Sequence, residues 1–344
     1  MNNKTSQQSE SIDISWHKDQ QKLWSKQIEQ DQVPHAVLLL GSNGIGKRSL
    51  AAWMIAKFLN ISSDIATPVY PHQVPMHADV QWITLEDGKI SISVDQIRAL
   101  INELSKTSYL GNGKVALIEP ANAMTLNAAN SLLKTLEEPS GNTLIILVAD
   151  RMKNIPATIR SRCQQFNIAK PSISNAVHWL KDADDSIHWN EVPEYIVSHP
   201  LLALEKKDEI KKILIFKQQL IELLIASASP IQVAASWSKE EPHFVLDWLC
   251  HFVTSIIYQV FDQDTTRGNE LELPLLNKLN KLNLFFFLDA IYKLRNQSQG
   301  SYNLQMAYES LLIDWSMGIE SCNKNQNIFD YLPANFFQTT NNQS

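Results

Sequence analysis

Cysteine is scarce in this chain of 344 residues, and the three cysteines, Cys163, Cys250 and Cys322, stand far apart. An odd number at such spacing argues against a disulfide framework and against a cysteine-rich zinc site. Long apolar runs are lacking too, since none approaches the roughly 20 residues that span a bilayer. The polar opening MNNKTSQQSE has no apolar core of a signal peptide. These absences predict a cytoplasmic protein that does not cross a membrane.

Positive charge is also in short supply. Lys and Arg number 30 against 36 Asp and Glu, which gives a formal net charge of −6 at pH 7. A protein that grips nucleic acid over a broad surface is normally basic. Any contact with DNA is therefore expected to be local or shared with partner chains.

The first half of the chain alternates short apolar runs with helical patterns. Strands are predicted at 36–40, 80–85, 115–118, 144–148 and 164–168. Ser93 and Gln96 fit a capping box that opens a helix. A later helix is expected to turn one apolar face inward, and the residues of that face are Leu126, Ala129, Leu133 and Leu136. This alternation predicts an α/β fold with a parallel sheet covered on both faces.

The strand signal fades after about residue 170, and long helical patterns follow. Helices are predicted at 210–226, 231–237, 242–261, 271–280, 284–295 and 302–317. The Pro- and Ser-rich segment 61–77 is predicted to be a loop. The predicted domains are an α/β domain at 1–169, a small helical domain at 170–205, a larger helical domain at 206–335 and a disordered tail at 336–344.

A phosphate-loop motif follows the first predicted strand. Gly41, Gly46 and Lys47 match G-x-x-x-x-G-K between a strand and a helix, where backbone N–H groups cradle phosphate. The next position should offer a Ser or Thr hydroxyl to Mg²⁺, but it holds Arg48, and Ser49 comes one residue late. One helix position turns a side chain by about 100°, so Ser49 is expected to point elsewhere. Nucleotide binding stays open on this pattern, and hydrolysis is not expected.

A second acidic motif is altered as well. P-loop ATPases place Asp and then Glu at a strand end, to position the Mg²⁺ shell and to activate water. Here the strand runs into Glu119-Pro120, so Glu119 could replace the Asp, while Pro120 has no ionisable group. The strand at 144–148 ends in Ala149-Asp150, with no Thr or Asn to sense a γ-phosphate. Three losses in one site argue against a working ATPase.

Three motifs stand in one order along the chain. They are the segment 34–47 around the phosphate loop, the pattern N-x-L-L-K-x-L-E-E-P at Asn130–Pro139, and Ser161-Arg162-Cys163. Together they resemble the AAA+ clamp-loader subunits of bacterial DNA polymerase III, and a fainter likeness to the last collar helix lies at 303–313. The resemblance implies a RecA-like AAA+ domain, a helical lid domain and an all-helical collar that joins subunits.

Within this family, ATPase subunits of the tau/gamma kind keep both ATP motifs, and delta-prime subunits commonly lose them. The segment 198–204 also lacks the arginine that senses nucleotide in the ATPase subunits. The resemblance therefore implies a delta-prime scaffold within the polymerase holoenzyme, without ATPase activity of its own. It implies partner subunits, delta and tau/gamma, in a hetero-pentamer that loads the sliding clamp onto primed DNA.

The resemblance also implies roles for single residues. Arg162 would act as an arginine finger that reaches the γ-phosphate in a neighbouring subunit. The other interpretation of Arg162 is a surface arginine or a helix C-cap. Cys163 is expected to be a packed small residue. Lys134 could meet a partner, meet DNA phosphate or remain solvated beside Glu137 and Glu138.

A departure from the family lies in segment 61–77. The family usually has a four-cysteine zinc module after the phosphate-loop helix, but this segment has no cysteine. Its histidines, His72 and His77, are interpreted as surface loop residues, so no zinc is expected.

Two alternative functions stay open. Arg48 and Pro120 count against an active ATPase of the tau/gamma kind, and a steady-state ATPase assay separates it. The acidic charge and the lack of a basic, aromatic-rich segment count against a helicase-loader-like or recombination AAA+ protein that acts directly on DNA. Salt-dependent DNA binding by the isolated chain would support that second alternative.

Overall fold

The computed structural model describes residues 11–61, 67–72, 74–261, 270–297 and 303–320. The chain forms two compact units. One contains the residues up to Asn190 together with Tyr195–Lys207, and the other contains Glu191–Glu194 and the chain from Asp208 onward. The finer division into lid and collar stays a prediction, and the predicted tail at 336–344 lies outside the described residues.

A parallel sheet forms the centre of the first unit, as the apolar runs predicted. The strands are β1 (Ile12–Asp13), β2 (Ala36–Leu40), β3 (Val69–Tyr70), β4 (Val80–Ile83), β5 (Lys114–Ile118), β6 (Thr143–Ala149) and β7 (Gln164–Asn167). The main sheet has the order β4-β5-β6-β2-β7, and all its neighbours are parallel. Strands β1 and β3 form a separate antiparallel pair, which was not predicted from the sequence.

Helices cover both faces of this sheet. The helices described up to residue 207 are α1 (Lys18–Glu29), α2 (Lys47–Phe58), α3 (Val94–Leu104), α4 (Leu126–Glu137), α5 (Ala157–Arg160), α6 (Ile173–Ala183), α7 (Glu194–Val197) and α8 (Pro200–Glu205), and the first five contribute to the cores against the sheet. Because side chains alternate across a strand, Leu38 packs into the core shared with α3 and α4, and Leu39 into the core shared with α2. The predicted capping box is present, since Ser93 and Gln96 exchange both hydrogen bonds.

The apolar face of α4 differs from the prediction at its first turn. Leu126 is 67% exposed, and the buried residues of α4 are Ala128, Ala129, Leu132 and Leu136. These residues recur at spacings of three and four, so the buried stripe begins two residues later than expected. Leu133 is partly buried against the same core.

Helices account for the regular structure described in the second unit. They are α9 (Lys207–Leu224), α10 (Pro230–Trp237), α11 (Pro242–Phe261), α12 (Leu273–Leu276), α13 (Leu284–Arg295) and α14 (Leu304–Ser316). The prediction for 271–280 is wrong, because α12 is only one turn long. Tightly packed aromatic rings fill the core of this unit, among them Phe216, Trp237, Trp248, Phe252 and Trp315.

Among the described helices, α11 is long and apolar enough to cross a bilayer by length and composition alone. The prediction that no apolar run approaches 20 residues did not identify α11. Half of its apolar stretch is buried inside the protein, where α11 packs against α13. Asp247 on α11 also forms an ion pair with Arg295. A core helix of a globular unit passes the same test, so the feature is weak evidence for a membrane.

Candidate functional site

The phosphate loop connects β2 to α2 at the carboxyl end of the parallel sheet. Gly46 has a φ of 84° directly before α2, in the left-handed region that favours glycine. Gly41 also has no room for a side chain, since a Cβ there would lie 2.7 Å from the carbonyl oxygen of Ile168. The loop therefore has the backbone shape that the motif predicted.

Two aromatic side chains hold the carbonyl of Ile45 from outside the loop. Trp16 donates from Nε1 to this oxygen over 2.9 Å, and Nε2 of His17 lies at the same distance. His17 is completely buried, and burial lowers its pKa to about 4. His17 is therefore neutral at pH 7 and donates from Nε2, while its Nδ1 has no hydrogen-bond partner in the described structure.

Lys47 is already satisfied by the protein itself. Its Nζ donates to the carbonyl oxygens of Gly41 and Ser42 over 2.8 and 2.7 Å, and to Oδ1 of Asp150 over 2.7 Å. A lysine ammonium has three N–H donors, and these contacts use all of them. The side chain is only 6% exposed. A phosphate would have to displace the Asp150 carboxylate to reach this charge.

Arg48 occupies the position where a hydroxyl would hold Mg²⁺. Its Nε donates to Oε2 of Glu119 over 2.5 Å, and its guanidinium carbon lies 5.4 Å from the ring centroid of Trp82. Nη1 also lies 3.4 Å from Nε2 of His72. The pKa of His72 is lowered by burial and by the charge of Arg48. The arginine is thus held by a carboxylate, an indole face and a neutral imidazole.

These residues do not fit a Mg²⁺-nucleotide. Ser49, whose hydroxyl was predicted to point away from the metal position, is 2% exposed, and its Oγ has no partner within the described residues. Glu119 could ligate a cation, but it faces the guanidinium of Arg48. Pro120, which follows it, offers no base for water activation. A metal ion at this place would meet a positive charge and lose its carboxylate ligand.

Helix α8 closes over the phosphate loop. The N–H of Leu201 donates to the carbonyl oxygen of Gly44 over 3.0 Å. Gly44 has a φ of 74°, and a Cβ there would lie 2.6 Å from Cβ of Leu202. The segment in which ATPase subunits of the resembled family carry a sensing arginine therefore contacts the loop through backbone and apolar groups.

Arg162 lies at the surface just after α5. Its Nε donates to Oε1 of Glu137 at the end of α4 over 2.6 Å, and its Nη2 donates to the same oxygen. Its Nη1 donates to the carbonyl oxygen of Thr158 over 3.0 Å and to Oγ of Ser161 over 3.2 Å. The side chain is 33% exposed. Among the described residues, none of these bonds reaches the phosphate loop.

Known proteins resemble the chain over most of its length. The family described as DNA polymerase III, delta subunit matches residues 16–172. The DNA polymerase III subunit delta' of Pseudomonas aeruginosa is 30% identical over 325 residues, which cover 86% of this chain and 96% of that protein. The chain belongs to the DNA polymerase III delta-prime family.

The chain is also similar to other DNA polymerase III subunits, over a smaller share of its length or at lower identity. The DNA polymerase III subunit tau of Salmonella typhimurium is 31% identical over 155 residues, but these cover only 44% of this chain and 24% of that protein. The crystal structure of a DNA polymerase III gamma subunit-related protein from Thermotoga maritima covers 85% of the chain and 98% of its own, with 16% identity and a TM-score of 0.43.

In this delta-prime chain, the structure gathers Gly41, Gly46 and Lys47 in one loop and leaves Arg162 on a separate surface. The residues that surround the loop and contact it were not predicted from the sequence. These residues are Trp16, His17, Asp150, Leu201 and Leu202. A carboxylate directly after β6 was visible in the sequence, but its pairing with Lys47 depends on the sheet order, which no local pattern gives.

Cys163 and His77, two further positions considered in the sequence, both have largely buried side chains. Cys163 is buried, as expected, and burial raises its pKa to about 12, so it is a thiol at neutral pH. His77 differs from its interpretation as a surface residue, because its side chain is 11% exposed and its Nδ1 accepts the N–H of Asp79. Within the described residues, no group of three or more His, Cys, Asp or Glu side chains could hold a metal ion.

Proposed function

We propose that this chain is a non-hydrolysing scaffold subunit of the DNA polymerase III clamp loader and that it supplies Arg162 in trans to a neighbouring ATPase subunit. The observation that carries the first part is the Arg48–Glu119 ion pair at the metal position, next to Pro120. The relatives support the setting, since the proteins from Pseudomonas aeruginosa and Salmonella typhimurium to which the chain is similar are named as subunits of DNA polymerase III.

The partners follow from the same proposal. Delta and tau/gamma subunits would complete a hetero-pentamer, and the sliding clamp and primed DNA would be engaged through that complex in the cytoplasm. The net charge of −6 supports this, because a chain that bound DNA alone over a broad surface would normally be basic. An active ATPase of the tau/gamma kind is the weaker candidate, since Lys47 and Glu119 are both paired within the chain.

Arg162 suits the finger role by its exposure and its anchoring. The backbone of α5 and the Ser161 hydroxyl hold Nη1, while one third of the Arg162 side chain is exposed at the protein surface. A fixed, accessible guanidinium is what an arginine finger requires, since it must enter a neighbour's site without losing its orientation. Its rigid fork of donors suits phosphate oxygens better than a lysine would.

The test is ATP hydrolysis by the reconstituted clamp loader in the presence of clamp and primed DNA. Arg162→Ala should abolish most turnover at the adjoining site, where a finger contributes on the order of 10³-fold or more. Arg151→Ala, which removes an exposed arginine of the same unit, is the matched control and should leave the rate unchanged. Assembly of both variant complexes is checked by gel filtration.

Two results would count against the proposal. Unchanged hydrolysis in a fully assembled Arg162→Ala complex would remove the finger and leave the scaffold role. Robust hydrolysis by the isolated wild-type chain would overturn the non-hydrolysing role and favour the active-ATPase alternative.

A further inference from the structure

The guanidinium of Arg162 has almost no free donor. Arginine carries five N–H donors, and the contacts to Glu137, Thr158 and Ser161 use four of them. The remaining N–H is on Nη2. A phosphate group binds arginine best through two parallel N–H donors, so Arg162 in this arrangement could offer a phosphate only half of such a contact.

The four contacts fall into two kinds. Thr158 and Ser161 belong to the same short segment as Arg162 and hold Nη1, so they move with the arginine and orient it. Glu137 comes from α4, 25 residues earlier in the chain, and takes the edge formed by Nε and Nη2. It is this edge that would give a fork of two donors if Glu137 were absent.

The ion pair between Arg162 and Glu137 lies at the surface, where another anion can replace the carboxylate. The side chains of Arg162 and Glu137 are 33% and 48% exposed, so solvent screens their attraction and the pair is weak. Glu137 is also the last residue of α4, and Glu138 follows it. The C-terminal end of a helix disfavours negative charge, so Glu137 gains from the nearby cation, and a γ-phosphate would have to compete with it by its higher charge.

We propose that Glu137 is a resting partner of Arg162, which the γ-phosphate of a neighbour's nucleotide must displace. This rests on the proposed finger role of Arg162. In the separate subunit, Glu137 neutralises the guanidinium and occupies its Nε–Nη2 edge. When a neighbour presents a γ-phosphate, its oxygens replace the single carboxylate oxygen on that edge, while Thr158 and Ser161 keep the guanidinium oriented. Glu137 thereby raises the nucleotide concentration at which the site is completed.

The test compares Glu137→Gln with Glu138→Gln in the reconstituted clamp loader, in wild-type and Arg162→Ala backgrounds. Glutamine keeps the size of the side chain but removes its charge. Glu138 is the adjacent exposed carboxylate and makes no described contact with Arg162. Glu137→Gln should lower the ATP concentration at half-maximal hydrolysis by about two- to fivefold, the range that an exposed ion pair allows. Glu138→Gln should not change it.

The double variants separate a failure of the finger role of Arg162 from a failure of the resting-partner role of Glu137. In the Arg162→Ala background, Glu137→Gln should have no effect, because the two residues act as one unit. If Arg162→Ala lowers hydrolysis but Glu137→Gln behaves like Glu138→Gln, the resting-partner role is overturned and the finger stands. A lower maximal rate in Glu137→Gln at saturating ATP would mean that Glu137 positions the finger, which also overturns it. If Arg162→Ala has no effect, the finger and this inference fall together.

Discussion

Arg48 and Glu119 form a half-buried ion pair, with Nε of the arginine 2.5 Å from Oε2 of the glutamate, at the place where a P-loop ATPase binds its metal ion. The guanidinium of Arg48 neutralises Glu119 permanently, as a bound metal ion would do in an ATPase. One substitution in the phosphate loop thus has two effects: it removes the hydroxyl ligand of Mg²⁺, and it compensates the carboxylate that the metal would otherwise neutralise.

Arg48→Ala is expected to lower the stability of the first unit. Glu119 is 14% exposed and Arg48 41% exposed, so removal of the arginine leaves a largely buried carboxylate without its partner. Loss of a hydrogen bond to a charged group costs about 1.5–3 kcal/mol, and solvent around Arg48 places the expected value near the lower end. Urea unfolding followed by circular dichroism measures it. Arg98→Ala, which breaks an exposed pair with Asp95, is the control and should shift the midpoint little; equal shifts would contradict the argument.

The contact between the phosphate loop and α8 can be tested at a glycine. Gly44→Ala would impose a left-handed backbone on alanine and would also place its Cβ 2.6 Å from Cβ of Leu202. Gly88 has nearly the same φ, 73°, but open space around it. Gly88→Ala should therefore cost only the backbone term of about 1–2 kcal/mol. Gly44→Ala should cost about 1–3 kcal/mol more, because it overpacks the contact.

The measurement is the free energy of unfolding of both glycine variants in urea. The difference between them isolates the contact with α8 from the backbone term that they share. An equal loss of unfolding free energy in the two variants would mean that α8 does not pack closely against Gly44 in solution.

The fold could be predicted because its signals are local. The runs 36–40, 115–118 and 144–148 are apolar throughout, as strands buried on both faces of a sheet must be. The structure places strands there and pairs them in parallel. The pair β1 and β3 could not be predicted, because two strands of two residues carry no periodic pattern. In the segment 271–280, where a helix was predicted, only Leu273–Leu276 is helical, since the spacing of apolar residues does not by itself determine where a helix ends.

The candidate site was predictable in composition but not in contacts. Arg48 and Pro120 can be read directly from the sequence as departures from the ATPase motifs. The sequence also predicts that the Ser49 hydroxyl points away from the metal position. The sequence does not show that Arg48 pairs with Glu119 or that Lys47 pairs with Asp150, because these partners are 71 and 103 residues apart. Such contacts depend on the order in which strands join the sheet, and that order is a long-range property.

Acid should weaken the first unit through His17. Burial holds the pKa of His17 at about 4 in the folded state, below its ordinary value of 6.5. The unfolded chain therefore binds a proton that the folded chain refuses, and stability falls as the pH drops from 6.5 towards 4. Above pH 6.5 this effect is absent. For this shift the loss between pH 7 and pH 5 is about 2 kcal/mol.

The variant His17→Gln isolates that effect. Glutamine keeps a donor for the Ile45 carbonyl and does not titrate, so its stability should fall about 2 kcal/mol less than the wild type between pH 7 and pH 5. Urea unfolding at the two pH values measures the difference. His178→Gln, which removes an exposed histidine of α6, should behave like the wild type. The same acid sensitivity in His17→Gln would show that another group is responsible.

Magnesium should give the isolated chain no gain in affinity for ATP. In P-loop ATPases the ion bridges the β- and γ-phosphates and is held by the loop hydroxyl and a strand-end carboxylate. Here the guanidinium of Arg48 lies against that carboxylate, Glu119. Arg48→Ser restores the hydroxyl and frees the carboxylate, so calorimetry should find tighter ATP binding with Mg²⁺ than with a chelator for this variant alone. Hydrolysis should stay absent, because Pro120 supplies no base. A Mg²⁺-dependent gain in the wild-type chain would mean that ATP and its metal ion displace Arg48.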